Sequence, residues 1–293
     1  MAPETIRERL SPMVVMLLFL AAVQILSLSL MDPLSETEVR IFDDPESTAN
    51  PFGYILLVLG FTLFILMALR LKKGWVVSGV VLLAIAIGVY YVLSAFLAPL
   101  PALASSLAVL ALLHHHPEWY VIDIVGLIVS AGVGTLFGLS MTPFPAIILL
   151  LILAAYDAIS VYKTRHMVTL AEGVMEIRAP LLFVVPRRRG YSFRREGMGS
   201  GEDRGAYFLG LGDAIIPTVL VISANWYFAL PEFEILGIGA NLPALGAMMG
   251  TYLGFGLLSG TSRDKPQAGL PFLNGGAILG FLAGILISGH PLF

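Results

Sequence analysis

The sequence Gly210-Leu211-Gly212-Asp213 places a carboxylate inside an apolar run that extends from Ala206 to Phe228. An Asp side chain within a membrane span costs roughly 2.5 to 3.5 kcal/mol on insertion scales, so such groups usually face a protein interior or water and carry function. Asp213 therefore requires a partner, a route of access and a chemistry that the rest of the chain should supply.

The composition indicates a protein that crosses a membrane several times. Of its 293 residues, 57% are hydrophobic and only 13% are charged, and the mean hydropathy is +0.88. Soluble domains carry about 25% charged residues. Several unbroken apolar runs approach the ~20 residues that a helix needs to cross a bilayer. The chain contains no cysteine, which excludes disulfides, zinc thiolates and a thiol nucleophile.

The apolar runs predict nine transmembrane helices and an all-α polytopic membrane protein. The predicted helices are 13–31, 52–69, 76–98, 102–113, 119–139, 146–162, 206–228, 235–258 and 270–287. The first run is too long for the apolar part of a signal peptide, about 7 to 15 residues, so we expect it to be retained. The chain then divides into helices one to six (1–163), a partly disordered cytoplasmic loop (164–205) and helices seven to nine (206–293).

The basic residues predict a cytoplasmic N-terminus and a C-terminus outside the cell. With nine spans in this orientation, 16 of the 17 Lys and Arg residues fall in cytoplasmic segments, and only Arg40 falls outside. This asymmetry satisfies the positive-inside rule and supports both the count of nine and the orientation. We expect a multi-pass integral protein of the cell membrane. Within the long cytoplasmic loop, the apolar segment 181–185 is compatible either with an exposed strand that pairs with an extended peptide or with an ordinary interfacial loop.

A second carboxylate, in Tyr156-Asp157, lies within predicted helix six, and that span contains no Lys or Arg to pair with it. Asp157 lies six residues from Lys163, and Asp213 lies seven residues from Ala206. At ~1.5 Å per helical residue these separations are about 9 Å and about 10.5 Å. These similar distances place both acids at one level in the cytoplasmic half of the bilayer. Since consecutive spans usually neighbour one another, we also expect the two helices that carry them to be neighbours.

Two neighbouring carboxylates in a medium of low dielectric constant do not both ionise readily, so the pair is expected to share one proton. The ionised acid can activate a water that attacks a peptide carbonyl, while the protonated acid assists the carbonyl oxygen and then the leaving amine. Gly210 and Gly212 would let another backbone approach the acid. The chain contains neither an HExxH zinc motif nor a Gly-x-Ser-x-Gly elbow.

These motifs resemble those of the presenilin and signal peptide peptidase family of intramembrane aspartyl proteases, over nearly the whole chain. The resemblance implies nine helices, a catalytic pair formed by Asp157 and Asp213, and cleavage of substrate transmembrane helices. The residues that it places around this pair are Tyr156, Gly210, Leu211, Gly212, Leu270, Pro271, Phe272 and Leu273. An N-terminus inside the cell is similar to the presenilin branch.

The third motif of that family is Pro-Ala-Leu, which occurs literally at 101–103 and 243–245. Neither copy opens the last helix, whereas Leu270-Pro271-Phe272-Leu273 does, with Phe272 in place of Ala. We therefore assign the motif by position to 270–273. The copy at 243–245 is interpreted as an ordinary helix start.

Two other polar features are interpreted as structural. Asp123 lies in the first turns of predicted helix five, near the lipid headgroups, and is expected to be solvated. His114, His115 and His116 are adjacent and lack the i, i+4 spacing that places ligands on one helix face, so we expect an interfacial turn and no metal site.

The expected partners are transmembrane-helix substrates and the lipid bilayer, with no nucleic acid and no cofactor, and homo-oligomer formation is left open. The alternative function is a transporter or channel coupled to protons or cations, since paired intramembrane acids also form ion relays. Inverted repeats and broken helices would favour that alternative, but the sequence shows no internal repeat.

Overall fold

Long apolar helices form most of the computed structural model, which describes residues 6–37, 39–71, 73–164, 181–188, 190–197, 205–235, 237–260 and 267–290. The helices are α1 (Ile6–Ser29), α2 (Met31–Ser35), α3 (Asn50–Arg70), α4 (Gly74–Ser94), α5 (Pro99–His115), α6 (Trp119–Leu139), α7 (Pro143–Ile159), α8 (Phe193–Glu196), α9 (Leu211–Tyr227), α10 (Leu242–Gly260) and α11 (Leu270–Ser288). A π-helical turn, Ser160–Thr164, extends α7. The strands are β1 (Leu182–Pro186), β2 (Ala206–Gly210), β3 (Glu232–Ile235) and β4 (Ile238–Asn241).

Among the described residues, seven helices are long and apolar enough to cross a membrane: α1, α3, α4, α6, α7 with its π-helical turn, α10 and α11. The helices α5 and α9 are apolar but have only 17 residues each, which is the lower limit of the usual range for a span. The chain is therefore a multi-pass integral membrane protein. The count of nine spans and the orientation of the termini stay predictions.

The prediction of an all-α fold was wrong at two hairpins. Predicted helix seven was to begin at Ala206, but residues 206–210 form β2, which pairs antiparallel with β1 so that Leu182 lies opposite Gly210. Similarly, β3 pairs with β4, so α10 begins at Leu242, seven residues later than predicted. The β-branched and aromatic residues of β1 and β2 favour strands when a partner strand is available to pair their backbones.

The structure describes only part of the polar cytoplasmic loop predicted at 164–205, because residues 165–180, 189 and 198–204 lie outside the described residues. Of the two alternatives for 181–185, the structure has a strand, β1 at Leu182–Pro186, and not an irregular loop. This strand is not exposed, however: Phe183, Val184 and Val185 are buried. Its pairing partner is β2 of the same chain.

The helix α9 lies in the interior of the helix bundle. Its residues from Ile216 to Asn225 are all buried, and it packs against α1, α6, α7, α10 and α11. A helix that is apolar all round and enclosed on every side needs no amphipathic pattern. The segment that carries Asp213 is thus held by five neighbouring helices.

The helices α10 and α11 pack with their backbones in contact. A Cβ atom on Gly250 would lie 2.0 Å from the carbonyl oxygen of Gly276, and one on Gly246 would lie 2.2 Å from that of Gly280. The two helix backbones therefore touch along these glycines. Because only glycine permits this approach, the position of the first turn of α11 depends on α10.

Candidate active site

Asp213 is the third residue of α9 and lies in its first turn, where a carboxylate interacts favourably with the unpaired amides of the helix start. The side chain is half-buried. The depth estimate of about 10.5 Å assumed helical rise, but the five residues 206–210 form a strand. That estimate was therefore wrong, and the hairpin determines where Asp213 lies.

Asp157 is buried near the end of α7. Its Oδ2 accepts a hydrogen bond of 3.1 Å from the backbone N–H of Leu270, the first residue of α11. Contact across more than a hundred residues of sequence thus places the start of α11 against the acid of α7.

The two carboxylates converge on the segment that leads into α11. A Cβ atom on Gly269 would lie 3.5 Å from Oδ1 of Asp213, while the next residue, Leu270, donates to Asp157. Asp157 and Asp213 thus lie beside two consecutive residues of one segment. The structure therefore brings the two acids together with the first turn of the last helix.

The two glycines before Asp213 have different surroundings. A Cβ atom on Gly210 would lie 3.1 Å from Oδ2 of Asp213, whereas one on Gly212 would meet nothing within 4 Å. Gly212 is exposed, and the buried Leu211 between the two glycines anchors the helix start. An open face therefore adjoins the carboxylate at Gly212, but the space at Gly210 is already occupied by the acid itself.

The segment 270–273 forms the first turn of α11. Pro271 lies where a helix requires no amide donor, and Leu273 is fully buried. Leu270, Pro271 and Phe272 are half-buried. A Cβ atom on Gly254 of α10 would lie 2.2 Å from the carbonyl oxygen of Phe272. The backbone of Phe272, which stands where the family motif has Ala, therefore lies against α10.

Other sequence features lie elsewhere. Tyr156 is half-buried beside Asp157 on α7. The Pro-Ala-Leu copy at 243–245 opens α10, where Asn241 accepts the N–H of Ala244 at 3.0 Å, and the copy at 101–103 lies in α5. His116 hydrogen-bonds Tyr120 at 2.8 Å. Within the described part of the chain, no three potential metal ligands cluster.

Sequence reasoning missed two residues that hold the site. The hydroxyl of Tyr162 donates to Oε1 of Gln267 at 3.0 Å and accepts the N–H of Ala268 at 3.3 Å, so it fixes the segment before Gly269. Nδ2 of Asn274 donates to the carbonyl of Leu150 at 2.9 Å and ties α11 to α7. No sequence pattern identifies Tyr162, but Asn274 is a polar residue in an apolar run, the same signal that identified Asp213.

The expectation that Asp123 is solvated was wrong. Its side chain is 4% exposed, and Oδ1 accepts the backbone N–H of Val184 in β1 at 2.7 Å. The hairpin folds over the start of α6 and covers the position that sequence alone assigned to the headgroup region. Asp123 therefore links α6 to β1.

The connection between β1 and β2 is also attached to Glu118, the residue that precedes α6. The hydroxyl of Ser192, which caps α8, donates to Oε1 of Glu118 at 2.8 Å. Tyr191 donates to the carbonyl of Gly197 at 2.6 Å. Burial, together with the negative charges of Glu196 and Glu118, raises the pKa of Tyr191 to about 12, so its hydroxyl stays protonated and available as a donor.

Comparisons with known proteins show which family the chain belongs to. The family described as "Signal-peptide peptidase, presenilin aspartyl protease" matches residues 16–290. A structure of a presenilin family intramembrane aspartate protease in space group C222 is 36% identical, with a TM-score of 0.67, and the match covers 94% of this chain and 99% of that chain. A P2 structure, likewise of a presenilin family intramembrane aspartate protease, is 35% identical, with a TM-score of 0.66 and coverage of 94% and 98%. No curated protein matches the chain.

The chain belongs to the signal-peptide peptidase and presenilin family. It is an intramembrane aspartyl endopeptidase, and hence a hydrolase that acts on transmembrane substrates within the bilayer. A family match over nearly the whole chain does not favour the alternative of an ion-coupled transporter.

Proposed function

We propose that Asp157 and Asp213 are the catalytic pair of this protease. The observation that supports the assignment is their convergence on Gly269 and Leu270, where one acid accepts a backbone amide and the other lies beside the glycine. Aspartyl protease chemistry requires two carboxyl groups that act on one water and one carbonyl. The residues 210–212 and 270–273 line this pair as supporting residues, with Tyr156 beside it.

The proposed reaction begins with one proton shared between the two carboxyl groups. The ionised group takes a proton from a water molecule while the water oxygen bonds to the carbonyl carbon of the substrate. The protonated group donates to the carbonyl oxygen and so stabilises the tetrahedral intermediate. Transfer of a proton to the amide nitrogen then breaks the carbon–nitrogen bond and releases an amine and a carboxylic acid.

The open face at Gly212 supports an approach of the substrate backbone from that side, because a Cβ atom there would meet nothing within 4 Å. A peptide bond in an intact helix is shielded by its own side chains and hydrogen bonds. The substrate helix must therefore unwind locally before its carbonyl reaches the two acids. Gly212 is the position at which such an extended backbone meets the least obstruction.

We also propose that all nine predicted helices cross the cell membrane, with the N-terminus in the cytoplasm and the C-terminus outside. The distribution of 16 of 17 basic residues supports this orientation. It places the catalytic pair on the cytoplasmic side of the bilayer. Residues 1–163 then contribute Asp157, and residues 206–293 contribute Asp213.

The assignment is tested with the purified protein and a single-span peptide substrate in liposomes. Asp157→Ala and Asp213→Ala are each expected to abolish cleavage, because each removes one of two acids with separate roles. Asp43→Ala, which alters an exposed acid in the loop after α2, is the matched control and should cleave normally. Retained cleavage in both catalytic variants would contradict the proposal. Measurement of proton or cation flux in the same liposomes tests the transporter alternative.

A further inference from the structure

Asp123 is a buried carboxylate that the proposed reaction does not use. One of its oxygens accepts the N–H of Val184, and the other, Oδ2, is buried without a hydrogen-bond partner among the described residues. A carboxylate with one unpaired buried oxygen is a costly way to fill space, because an apolar side chain of similar size would need no partner. The role of Asp123 therefore lies in the one hydrogen bond that it accepts, from the N–H of Val184.

That bond acts on the outer edge of β1. In the β1–β2 pair, Val184 lies opposite Phe208, and its N–H points to Asp123 on α6 and away from β2. In antiparallel strands the amides of alternate residues point outward, so the hydrogen bond to Asp123 replaces no hydrogen bond between β1 and β2. Asp123 therefore fixes the hairpin to α6 without weakening the pairing of its strands.

The hairpin in turn determines where α9 begins. The N–H of Leu211, the first residue of α9, donates to the carbonyl of Leu181 at 3.1 Å, which continues the strand pairing by one step into the helix. Asp213 follows two residues later. The position of its carboxylate is thus coupled to β1 through backbone hydrogen bonds.

A second contact with α6 supports the same coupling. Gly126 lies one turn beyond Asp123 on α6, and a Cβ atom there would lie 3.0 Å from Cδ2 of Leu211 and 3.2 Å from Cε1 of Phe183. The same face of α6 therefore contacts both β1 and the first residue of α9. Asp123 supplies the polar contact on this face, and Gly126 leaves room for the apolar ones.

We infer that Asp123 is a positioning residue for Asp213: its carboxylate oxygen holds β1 on α6, and the hairpin places the first turn of α9 at the active site. This inference rests on the proposed catalytic role of Asp213. Asp123 does not touch the reacting atoms. It acts through the chain of contacts from Val184 to Leu211.

The test compares Asp123→Leu, which keeps the approximate size of the side chain but removes the acceptor, with Asp123→Asn, which keeps an oxygen at the position of Oδ1. We expect Asp123→Leu to lower kcat by at least about tenfold with little change in KM, since small displacements of a catalytic group are costly in rate. Asp123→Asn should retain at least about half of kcat, because a neutral acceptor still binds the N–H of Val184.

A second measurement separates positioning from folding. A peptide analogue that carries a hydroxyl group in place of the scissile carbonyl binds an aspartyl pair through its geometry. Its affinity for folded Asp123→Leu protein, isolated by gel filtration, should fall by about tenfold or more while that for Asp123→Asn stays near the unmodified value. A merely structural role would reduce the amount of folded protein and leave this affinity unchanged.

If Asp123→Leu does not fold, Gly126→Ala tests the same coupling, because its added methyl presses on Leu211 and should lower kcat. Gly256→Ala is its control, since a Cβ atom there meets nothing within 4 Å.

Unchanged kcat in Asp123→Leu or Gly126→Ala, or equal loss in Asp123→Asn and Asp123→Leu, would overturn the inference. If these variants behave normally while Asp213→Ala is inactive, only the inference fails. If Asp213→Ala and Asp157→Ala both cleave, the proposed function itself fails.

Discussion

Gly210 and Gly212 look equivalent in the sequence, but they act differently in the structure. A side chain at position 210 would contact the carboxylate of Asp213, whereas a side chain at position 212 would extend into open space. Neither residue has a backbone angle that only glycine adopts, since the described glycines with positive φ are at 190, 197, 237 and 289. The requirement for glycine at 210 is therefore steric and concerns the acid.

This contrast predicts that Gly210→Ala reduces cleavage by at least about tenfold, because the new methyl group displaces the carboxylate of Asp213. The effect on stability should be small, since the end of a carboxylate side chain can rotate. The measurement is kcat for a single-span substrate, together with thermal unfolding in detergent.

Gly256→Ala is the matched control for the same chemical change, and it should leave kcat unaltered because position 256 faces open space on α10. Gly212→Ala should fold as stably as the unmodified protein. Full activity of Gly210→Ala would contradict the steric argument, and a large loss of stability in the same variant would show that folding, and not the position of Asp213, is affected.

At the level of helices, the contact between α10 and α11 controls the first turn of α11 and with it the amide that binds Asp157. Gly250→Ala places a methyl group against the carbonyl oxygen of Gly276, at 2.0 Å before any movement. Backbone atoms cannot rotate away as side chains do, so the helices must separate. We expect a loss of roughly 1 to 3 kcal/mol of stability, as for other overpacked sites, and reduced cleavage.

The control is again Gly256→Ala, which makes the same change on the open side of the same helix. Thermal unfolding and cleavage of the two variants are compared in one detergent. Equal stability of Gly250→Ala and Gly256→Ala would show that the two helices are not held in backbone contact.

At the level of the whole molecule, the count of nine spans depends on whether the two 17-residue helices α5 and α9 cross the bilayer. The absence of cysteine makes the chain a ready background for single-cysteine labelling. Asp43 and His115 are both exposed, and α3, α4 and α5 separate them.

We predict that a membrane-impermeant thiol reagent added to intact cells labels Asp43→Cys but not His115→Cys, and that both react after the membrane is opened. Three crossings between the two positions place them on opposite sides. The unmodified protein, which has no thiol, is the control for background. Labelling of both positions from outside would mean that α5 does not span the membrane.

The sequence alone determined where most of the apolar helices lie and the class of chemistry. Inside a bilayer each backbone amide and carbonyl must have a hydrogen-bond partner, and a helix provides these partners within about one turn. The length of an apolar run is therefore nearly sufficient to predict a transmembrane helix. The helix predicted at 119–139 has those bounds in α6. The cost of an unpaired carboxylate in such a run identified Asp157 and Asp213 in the same way, and the family comparisons agree with the activity inferred from them.

Only the tertiary structure decided how these parts meet. The conversion of 206–210 from predicted helix to β2 depends on β1, about twenty residues earlier in the chain, and the bond from Leu270 to Asp157 joins positions 113 residues apart. The burial of Asp123 depends on the same hairpin. Strand pairing and contacts between distant side chains and backbone are non-local, so no window of sequence contains both partners. Asp213 was visible as a charged residue in an apolar run, but its place beside Asp157 follows from β1, α6 and the first turn of α11.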